Sequence, residues 1–537
     1  MTVKLAGTKY RLGAEFAIRN VNEIGLSGVV DVRAFGAVGD GVADDTAAIQ
    51  AAINVVAVML GGGTVFVPDG LYNLTASLVI NTGSVSIKGA SRDSVQFRRS
   101  TDYGPTIIFG NSATLLNGFA LQNIWFVDLP GLTGAAGAMT VANSPAHVVF
   151  EHVARVLFTD CLISAGGGVL FSGAANVEMQ RVYMAWSAGT PTGRYGIRVK
   201  RSAVVGATYP LSGDIHCSSV GISGDLAIAD GLLLESCDGF YWEAGTHIIG
   251  TAQSNVHFKK NGTDQLTNIE IVGGLLDITS GYGVFGDGSV GSGQIDTLRI
   301  ECSINDAGAN GTTGVYFDAS FGAINVKLSG YLAGFGGDGF KSLSPYVSDM
   351  VISSRIKGIG DNGIYIYDGD RFTIDGVHIG GDGSVACGIR IGASANKVTI
   401  VGGTIADTFN HGIQLDDGCT NVSIVGIQIK NIPGTPLRDL STTTSKYWSS
   451  IAGVSDVAAT VASASSIAMP VNDTMRLTGT TGVETITGSA WEGRQVVIVC
   501  PDGAVTFTAG SSIGNTITLT QAVPALAVFH NGKWHLK

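Results

Sequence analysis

The sequence predicts an all-β solenoid, a parallel β-helix, and three observations lead to it. Glycine is abundant and proline is scarce, with 77 Gly and 12 Pro among 537 residues. Many short β-branched runs lie between the glycines, which is typical of strands and tight turns and not of collagen or a disordered chain. A repeat of 24 or 25 residues then divides the middle of the chain into similar units.

The repeat is clearest in four segments that begin with glycine: GFKS at Gly339, GIYI at Gly363, GIRI at Gly388 and GIQL at Gly412. Between them lie three strand-like segments with glycine at the fifth position: FTIDGVHI, VTIVGGTI and VSIVGIQI, which start at Phe372, Val398 and Val422. A propeller blade needs about 40 residues, so this unit is too short for one. Short strands that bury their apolar side chains only by stacking indicate the coils of a β-helix.

The stretch FGAVGDGVADDTAAIQAAIN, from Phe35 to Asn54, places three aspartates ahead of an alanine-rich segment. Asp44 or Asp45 with Thr46 forms a good helix N-cap, and acidic residues suit the N-terminus of a helix. Apolar residues then recur at helical spacing. Because a solenoid must cover its apolar end, we interpret this stretch as a capping helix and favour capping over a metal or catalytic role for the aspartates.

With the following GGGTVFVPDGLYNL, this stretch resembles the N-terminal motif of the pectate-lyase-like right-handed β-helix superfamily, and especially of bacteriophage tailspikes and capsular or O-antigen polysaccharide depolymerases. With the coils, the resemblance covers roughly Val30 to Leu440. It implies a right-handed helix and a homotrimeric spike, attached to a phage tail or baseplate protein, that binds and often cleaves a bacterial surface polysaccharide. The superfamily contains hydrolases, lyases and binding proteins, so the fold alone does not define the reaction.

The chain is expected to have five segments. They are an N-terminal segment at 1–29, a capping motif and helix at 30–63, a right-handed parallel β-helix at 64–440, a linker at 441–454, and a C-terminal antiparallel β domain at 455–537. The last domain is interpreted as a trimerisation module, with glycan binding as the alternative, because no cluster of aromatic and amide residues marks a sugar site.

Composition excludes several other classes of protein. A net charge of −11 argues against nucleic acid as a partner. The chain has no uninterrupted run of about 20 apolar residues that would predict membrane insertion, and no leader follows Met1, so we expect no classical secretion signal. Together with this, the resemblance to tailspikes implies synthesis in the host cytoplasm and a place on the virion tail. The 7 cysteines are scattered singly, so we expect buried thiols, no metal site and no cofactor.

Candidate catalytic residues come from side chains that point outward on neighbouring coils, since alternate residues of a strand face opposite sides. One predicted column contains His216, Tyr241, Glu270, Arg299 and Lys327. The parallel column contains Ser218, Glu243, Val272, Glu301 and Ser329. The predicted catalytic residues are Glu243, Glu270 and Glu301, and the predicted substrate-binding residues are Tyr241, His216, Arg299 and Trp242, although Trp242 is expected to face inward.

The spacing of these carboxylates favours one reaction. Glu243 and Glu270 are one coil apart and two residues along the strand, which gives about 8 Å on the diagonal. Inverting glycosidases separate their carboxyl groups by about 6.5–9.5 Å, so the spacing predicts inverting hydrolysis. Two alternatives stay open: β-elimination with Tyr241, His216 or Arg299 as base and acid, and a spike that only binds glycan. Cross-strand pairing of Glu270 with Arg299 is the purely structural interpretation.

A basic segment, TGRYGIRVKRS, contrasts with the acidic chain and contains Arg194, Arg198, Lys200 and Arg201. It is interpreted either as a contact for an anionic polymer or as a solvated coil edge. Glu235, Asp238 and Asp277, in turns near the columns, are reserve catalytic candidates.

Overall fold

The structure is a computed structural model of the chain. The residues it describes are 2–5, 8–11, 28–100, 104–110, 112–129, 146–164, 167–186, 194–259, 266–288, 294–306, 311–380, 385–407, 409–432, 434–443, 446–449, 451, 459–469, 474–488, 490 and 493–537. Residues 12–27 of the predicted N-terminal segment therefore lie outside the described residues. The chain divides into two compact units, Met1–Tyr331 and Leu332–Lys537, which are described in turn.

The first unit is built almost entirely from short strands. Those that begin in this unit, β1 to β26 in chain order, are Thr2–Leu5, Thr8–Arg11, Val29–Asp31, Asp40–Asp44, Gly63–Val67, Gly70–Leu74, Leu78–Ile80, Val85–Gly89, Val95–Arg99, Ile107–Gly110, Leu116–Gln122, Trp125–Asp128, Val148–Thr159, Leu162–Ser164, Val169–Gln180, Tyr183–Ala185, Tyr195–Lys200, Ser212–Ser218, Gly221–Leu234, Cys237–Trp242, His247–Lys259, Leu266–Thr279, Tyr282–Asp287, Gln294–Asn305, Thr313–Phe317 and Gly322–Ala333. A 3-10 helix at Val32–Phe35 and helix α1 at Thr46–Ala57 precede the coils.

Parallel pairing between successive coils organises this unit. β11, β13, β15, β18, β20, β22 and β24 pair one after another, each with its counterpart in the next coil. The inward residues of these strands, such as Phe158, Met179 and Phe240, are fully buried. The chain therefore folds as the predicted right-handed parallel β-helix, in which each coil buries its apolar face against its neighbours.

A left-handed residue marks the same corner in consecutive coils. Asp214, Asn268, Thr297 and Asn325 have φ of 49°, 53°, 62° and 54°, and Gly239 has φ of 87°. Asn and Asp tolerate this conformation better than most residues, and Gly adopts it freely. Each of these residues lies two positions before a member of the predicted His216 column, so the bend sets the register of that column.

The capping helix lies where the sequence predicts it. Helix α1 contacts the first strands β3, β5 and β7. Its buried residues all belong to the predicted apolar stripe: Ile49, Ala52, Ile53 and Val56. The helix therefore covers the apolar end of the first coil, as a solenoid requires.

The aspartates ahead of the helix bind backbone groups. Asp44 Oδ1 accepts from the Thr46 N–H at 3.0 Å and from the Thr46 hydroxyl at 2.6 Å, so Asp44 satisfies a donor at the start of the helix. Asp45 occupies the N-cap position, but its side chain makes no capping bond. It is buried and accepts instead from the N–H groups of Val38 and Gly39 at 2.6 and 3.2 Å. The carboxylates thus have structural roles.

The second unit contains the regular repeat. Its coil strands, β27 to β37, are Phe340–Ser342, Val347–Lys357, Ile364–Asp375, His378–Gly380, Val385–Val401, Thr404–Ala406, Phe409–Leu415, Val422–Val425, Gln428–Lys430, Thr435–Asp439 and Lys446–Ser449. Ile364 pairs with Ile389, and Ile389 with Ile413, so the predicted repeat stacks in register. The fifth-position glycines, Gly376, Gly402 and Gly426, have φ of 61°, 63° and 70° and form the predicted bends.

The last coil strand corrects the predicted linker at 441–454. β37 pairs in parallel with β34, with Val422 opposite Lys446. The Lys446 ammonium group is buried, and it donates to Asp439 Oδ2 at 2.8 Å and to the Ser441 carbonyl at 2.7 Å. The sheet therefore continues into the segment that its Thr- and Ser-rich composition marked as a linker.

Separate small sheets follow, formed by β38 to β46: Ala459–Ala462, Ser466–Met469, Thr474–Thr478, Thr485–Gly488, Gln495–Val499, Val505–Phe507, Ile517–Leu519, Ala525–His530 and Lys533–Leu536. The prediction of purely antiparallel strands is wrong here. β38, β40 and β42 pair in parallel, as do β39 and β41, whereas β42, β45 and β46 and the pair β43–β44 are antiparallel. The chain between β38 and β40 contains β39, and the chain between β40 and β42 contains β41, so each parallel connection is long enough to return to the same edge.

All seven cysteines are buried and unpaired, as predicted. Burial raises the pKa of Cys161 to about 12. These thiols therefore pack as small apolar side chains. In the described part of the chain, no helix is both long and apolar enough to cross a membrane.

We expect Asp45→Ala to lower the free energy of unfolding by about 1–3 kcal/mol, because it removes a buried carboxylate that accepts from two partly buried backbone donors. The shift of the urea midpoint measures this loss. Asp40→Ala is the matched control, since the Asp40 carboxylate binds two exposed N–H groups, and its midpoint should change much less. Equal shifts for the two variants would contradict the structural role of Asp45.

Candidate functional site

The predicted outward column is present in the first unit. His216 pairs with Tyr241, Tyr241 with Glu270, and Glu270 with Arg299. In the parallel column, Val272 pairs with Glu301. The alternation that produces this arrangement is local: the flanking residues, such as Ile215, Cys217, Ile269 and Ile271, are fully buried. The outward side chains of consecutive coils therefore share one surface.

A histidine, a tyrosine and a glutamate form the first cluster on this surface. His216 Nδ1 lies 2.9 Å from Glu243 Oε1, and both side chains are nearly half exposed. The His216 ring stacks on Tyr241, with centroids 4.4 Å apart and planes at 15°. Burial, and then the charges of Asp214 and Glu270, raise the pKa of Tyr241. The phenol therefore stays protonated and can donate a hydrogen bond.

Two cations and two carboxylates form the second cluster. The Arg299 guanidinium contacts Glu270 Oε2 at 3.3 Å and Glu301 Oε2 at 2.6 Å. The Lys327 ammonium group binds the other oxygen of Glu301. Hydrogen bonds from Arg299 and Lys327 lower the pKa of Glu301 to about 2. Glu301 is thus ionised at neutral pH and cannot act as a general acid, whereas Glu270 has a single cationic contact.

Trp242 does not belong to this surface. Its side chain is 1% exposed, as the alternation predicts for an inward residue. The assignment of Trp242 to the substrate-binding residues is therefore wrong: an indole packed in the core cannot stack on a sugar.

The column contains one carboxylate that sequence reasoning missed. Glu178 on β15 is exposed and pairs directly with His216. The signal was available in NVEMQ, where Val177 and Met179 are buried on either side of Glu178. The predicted column began at His216, one coil after Glu178. The column therefore extends one coil further than predicted.

One residue of the basic segment forms a largely buried ion pair. Arg198 binds both oxygens of Glu235, at 2.6 and 2.9 Å, and both side chains are mostly buried. Burial, and then the charge of Arg198, lower the pKa of Lys200. This geometry favours a structural role for Arg198 and removes Glu235 from the reserve candidates. Asp238, another reserve candidate, accepts from the Thr267 hydroxyl and the Asn268 amide.

The described residues contain no group of three or more His, Cys, Asp or Glu side chains arranged to hold a metal ion. The clustered groups are instead carboxylates, cations and aromatic rings, which bind hydroxyl-rich or charged organic ligands.

A family model described as rhamnogalacturonase A/epimerase, pectate lyase-like, matches residues 29–136. The predicted resemblance to pectate-lyase-like proteins is confirmed for this part of the chain. Mannuronan C5-epimerase AlgE5 of Azotobacter vinelandii is 52% identical over 58 residues, which is 11% of this chain and 6% of that protein. Alginate lyase 7 of the same organism is 48% identical over 58 residues, 11% of this chain and 7% of that protein.

The chain thus matches less than a tenth of the length of each of these two relatives. Among solved structures, tailspike protein 3 of bacteriophage CBA120 aligns with 82% of this chain and 64% of its own chain. Its TM-score is 0.47 and its sequence identity is 11%.

We expect Glu301→Gln to destabilise the protein by about 1–3 kcal/mol at neutral pH, because it removes charge-assisted hydrogen bonds. A carboxyl whose pKa is lower in the folded protein than in the unfolded chain stabilises the fold above its unfolded pKa of 4.5. It loses this stabilisation as the pH falls through its folded pKa of about 2. The difference in urea midpoint between wild type and variant should therefore narrow between these two values.

Glu178→Gln is the control, since its side chain is exposed on the same sheet. Its midpoint should stay close to that of the wild type across the same pH range. A Glu301→Gln difference that is independent of pH would contradict the ion-pair interpretation.

Proposed function

We propose that the chain binds and endo-cleaves a bacterial surface polysaccharide, a capsule or an O-antigen, by inverting glycoside hydrolysis on the His216–Lys327 face of its β-helix. The observation that carries the proposal is the cluster of exposed carboxylates, cations and a tyrosine on stacked coils. The pectate-lyase-like family model over residues 29–136 supports a polysaccharide as the substrate. So do the names of the relatives, an epimerase of mannuronan and a lyase of alginate.

Glu243 and Glu270 are the best pair for the two catalytic roles. Tyr241 is opposite Glu270 and Trp242 is opposite Ile271, so Glu243 and Glu270 lie on a diagonal across adjacent coils. Strand spacing and rise separate their backbones by about 8 Å, and from there rotation of the two side chains can bring the carboxyl groups to the separation of about 6.5–9.5 Å that inverting enzymes use. Glu301 shares Arg299 with Glu270, so it is better suited to position that guanidinium than to act on substrate.

In the proposed reaction, Glu270 removes a proton from water as the water attacks the anomeric carbon. The glycosidic C–O bond breaks, and Glu243 gives its proton to the departing sugar oxygen. Glu270 then gives its proton to solvent, and Glu243 takes a proton from solvent through the His216 ring that is hydrogen bonded to it. Tyr241 donates a hydrogen bond to the sugar. General acid and base catalysis of this kind accounts for about 10²–10⁴-fold in rate.

β-Elimination on a uronate polymer is the second candidate function, and the alginate lyase relative favours it. It requires a base that removes a proton next to the carboxylate and a cation that neutralises that carboxylate. The raised pKa of Tyr241 weighs against the phenol as base, which leaves His216. Arg299, the available cation, already contacts Glu270 and Glu301. These two points make hydrolysis the stronger proposal.

We expect wild-type protein, incubated with a panel of bacterial capsules and lipopolysaccharides, to release uniform oligosaccharides that carry one added water. Glu243→Gln should lower this rate by at least about 100-fold, because it removes the proton donor. Mass spectra of the products, recorded over time, measure both the added water and the rate of release. Products lighter by one water would establish the lyase, and a polymer that is bound but never cleaved would identify a binding spike.

The matched control is Asp160→Asn. Asp160 is a partly exposed carboxylate of the same unit, paired with Arg181 at a coil corner, and its removal should leave the rate unchanged. Equal loss of activity in both variants would indicate a general effect on folding.

We also propose that the chain assembles as a homotrimeric spike on a phage tail, carried by the tail or baseplate. The resemblance of the N-terminal motif to tailspikes supports this. Exposed apolar residues on the coils of the second unit, Val351, Tyr367 and Val401, are suited to contact another subunit. The other domain boundaries, apart from the corrected linker, and trimerisation through the C-terminal module belong to the same proposal.

We expect the protein to sediment with three times the monomer mass. Val401→Asp should increase the monomer fraction, because a carboxylate buried at an interface is costly. Val205→Asp is the control, since Val205 is 93% exposed. A wild type that sediments as a monomer at micromolar concentration would contradict the spike.

A further inference from the structure

An open cleft of about 450 Å³ lies in the first unit, beside the proposed catalytic column. It crosses β11, β18 and β20 near their beginnings and β13 and β15 in mid-strand, in each case at the row of left-handed corners. Five coils correspond to a length of about 19 Å at the usual strand spacing. Polar side chains line it: Asn117, Arg155, Asn176, Asp214 and Asp238. A ligand in the cleft would lie across several coils, along the direction in which the column runs.

The cleft and the column form one continuous surface. Asn176 and Asp214 precede Glu178 and His216 by two residues, which is about 6.7 Å along the strand. Burial is the largest cause of the raised pKa of Tyr241, and the charges of Asp214 and Asp238 raise this pKa further. A chain that fills the cleft therefore passes next to the column residues.

Residues 208–211 form one wall, and a buried histidine holds it. The Tyr209 N–H donates to His152 Nε2 at 3.3 Å, and His152 Nδ1 lies 2.7 Å from the Ser112 carbonyl oxygen. His152 is fully buried, whereas Tyr209 is 64% exposed. The Pro210 carbonyl accepts from the Ser202 N–H at 2.7 Å. The Tyr209 ring is therefore presented to solvent from a backbone that is fixed before a ligand binds.

The wall is fixed at its other end as well. Ser212 Oγ donates to the Lys200 carbonyl at 2.9 Å and accepts from the Ala174 N–H at 3.1 Å. A binding surface that is ordered in advance loses less conformational entropy when a ligand binds. This organisation is expected of a recognition site and is not needed for a solvated turn.

The charge of the surface selects the class of ligand. In the cleft, the carboxylates of Asp214 and Asp238 outnumber the guanidinium of Arg155. On the column, the carboxylates of Glu178, Glu243, Glu270 and Glu301 outnumber the cations of Arg299 and Lys327. An anionic polymer would meet an excess of like charge, whereas the hydroxyl groups of neutral sugars donate well to carboxylates.

We propose that this cleft is a subsite for uncharged sugar units of the polysaccharide, with the Tyr209 ring as the surface on which a sugar ring packs. The carboxylates and amides along its floor accept from and donate to sugar hydroxyls. The subsite rests on the proposed function, because the same polymer continues onto the column, and it makes a neutral polymer the substrate class.

The test is an array of capsules and lipopolysaccharide O-chains of known composition, divided into uncharged polymers and polymers that contain uronate or sialate. Full-length Glu243→Gln serves as the binding protein so that cleavage does not remove the ligand. We expect binding to uncharged polymers. Adding Tyr209→Ala should weaken it at least tenfold, the scale of loss for an aromatic anchor.

Two variants control the result. Tyr209→Phe keeps the ring and should bind within about twofold of the parent. Val205→Ala changes an exposed residue of the same loop that does not line the cleft, and it should have no effect. Preferential binding of anionic polymers, equal affinity of Tyr209→Ala, or no binding to any uncharged polymer would overturn the subsite.

Cleavage is measured separately, with Tyr209→Ala in a protein that keeps Glu243. This measurement distinguishes the subsite from the proposed reaction. Cleavage that Tyr209→Ala leaves unchanged would refute the subsite alone. Binding of neutral polymer that Tyr209→Ala abolishes, without any cleavage product, would support the subsite and refute the reaction.

Discussion

The register in which parallel coils stack is the constraint on which the rest of this structure depends. Backbone hydrogen bonds hold neighbouring strands at a fixed spacing, and left-handed residues such as Asp214 and Asn268 turn the chain at the same place in each coil. A slip of one residue in a strand would exchange its two faces. His216 would then enter the core and Cys217 would face solvent. Core packing and surface chemistry are therefore specified together.

Contacts between coils serve both stability and chemistry on the column. Arg299 contacts both Glu270 and Glu301, and Lys327 contacts Glu301 as a second cation. Ion pairs therefore stabilise the end of the column that contains Lys327. Glu243 contacts only the titratable ring of His216 among the charged groups of the column. The column thus contains one carboxylate that two cations hold and one that faces an imidazole ring, and the proposed acid and base roles depend on this difference.

Much of this could be predicted from the sequence, because inward and outward alternation is a local property. The alternation of inward and outward residues predicted the columns, the inward orientation of Trp242 and the coils of the repeat. Helical spacing of apolar residues predicted the capping helix. The alternation does not show which neighbouring side chain a charged group contacts. Whether Arg299 reaches Glu270, Glu301 or both depends on rotamers, and the wall at Tyr209 belongs to a loop outside the repeat. Alternation also does not encode strand direction, which is why the mixed C-terminal sheets were missed.

The row of left-handed corners has a consequence for how such a protein can change over time. Each corner and its inward residues keep one coil in place, while the outward residues only meet those of adjacent coils. Outward positions such as Glu178 can therefore be replaced one at a time without a compensating change in the core. A lineage can change what this surface binds by exchanging these positions, or can lengthen the surface by duplicating a whole coil, and keep a scaffold that still folds.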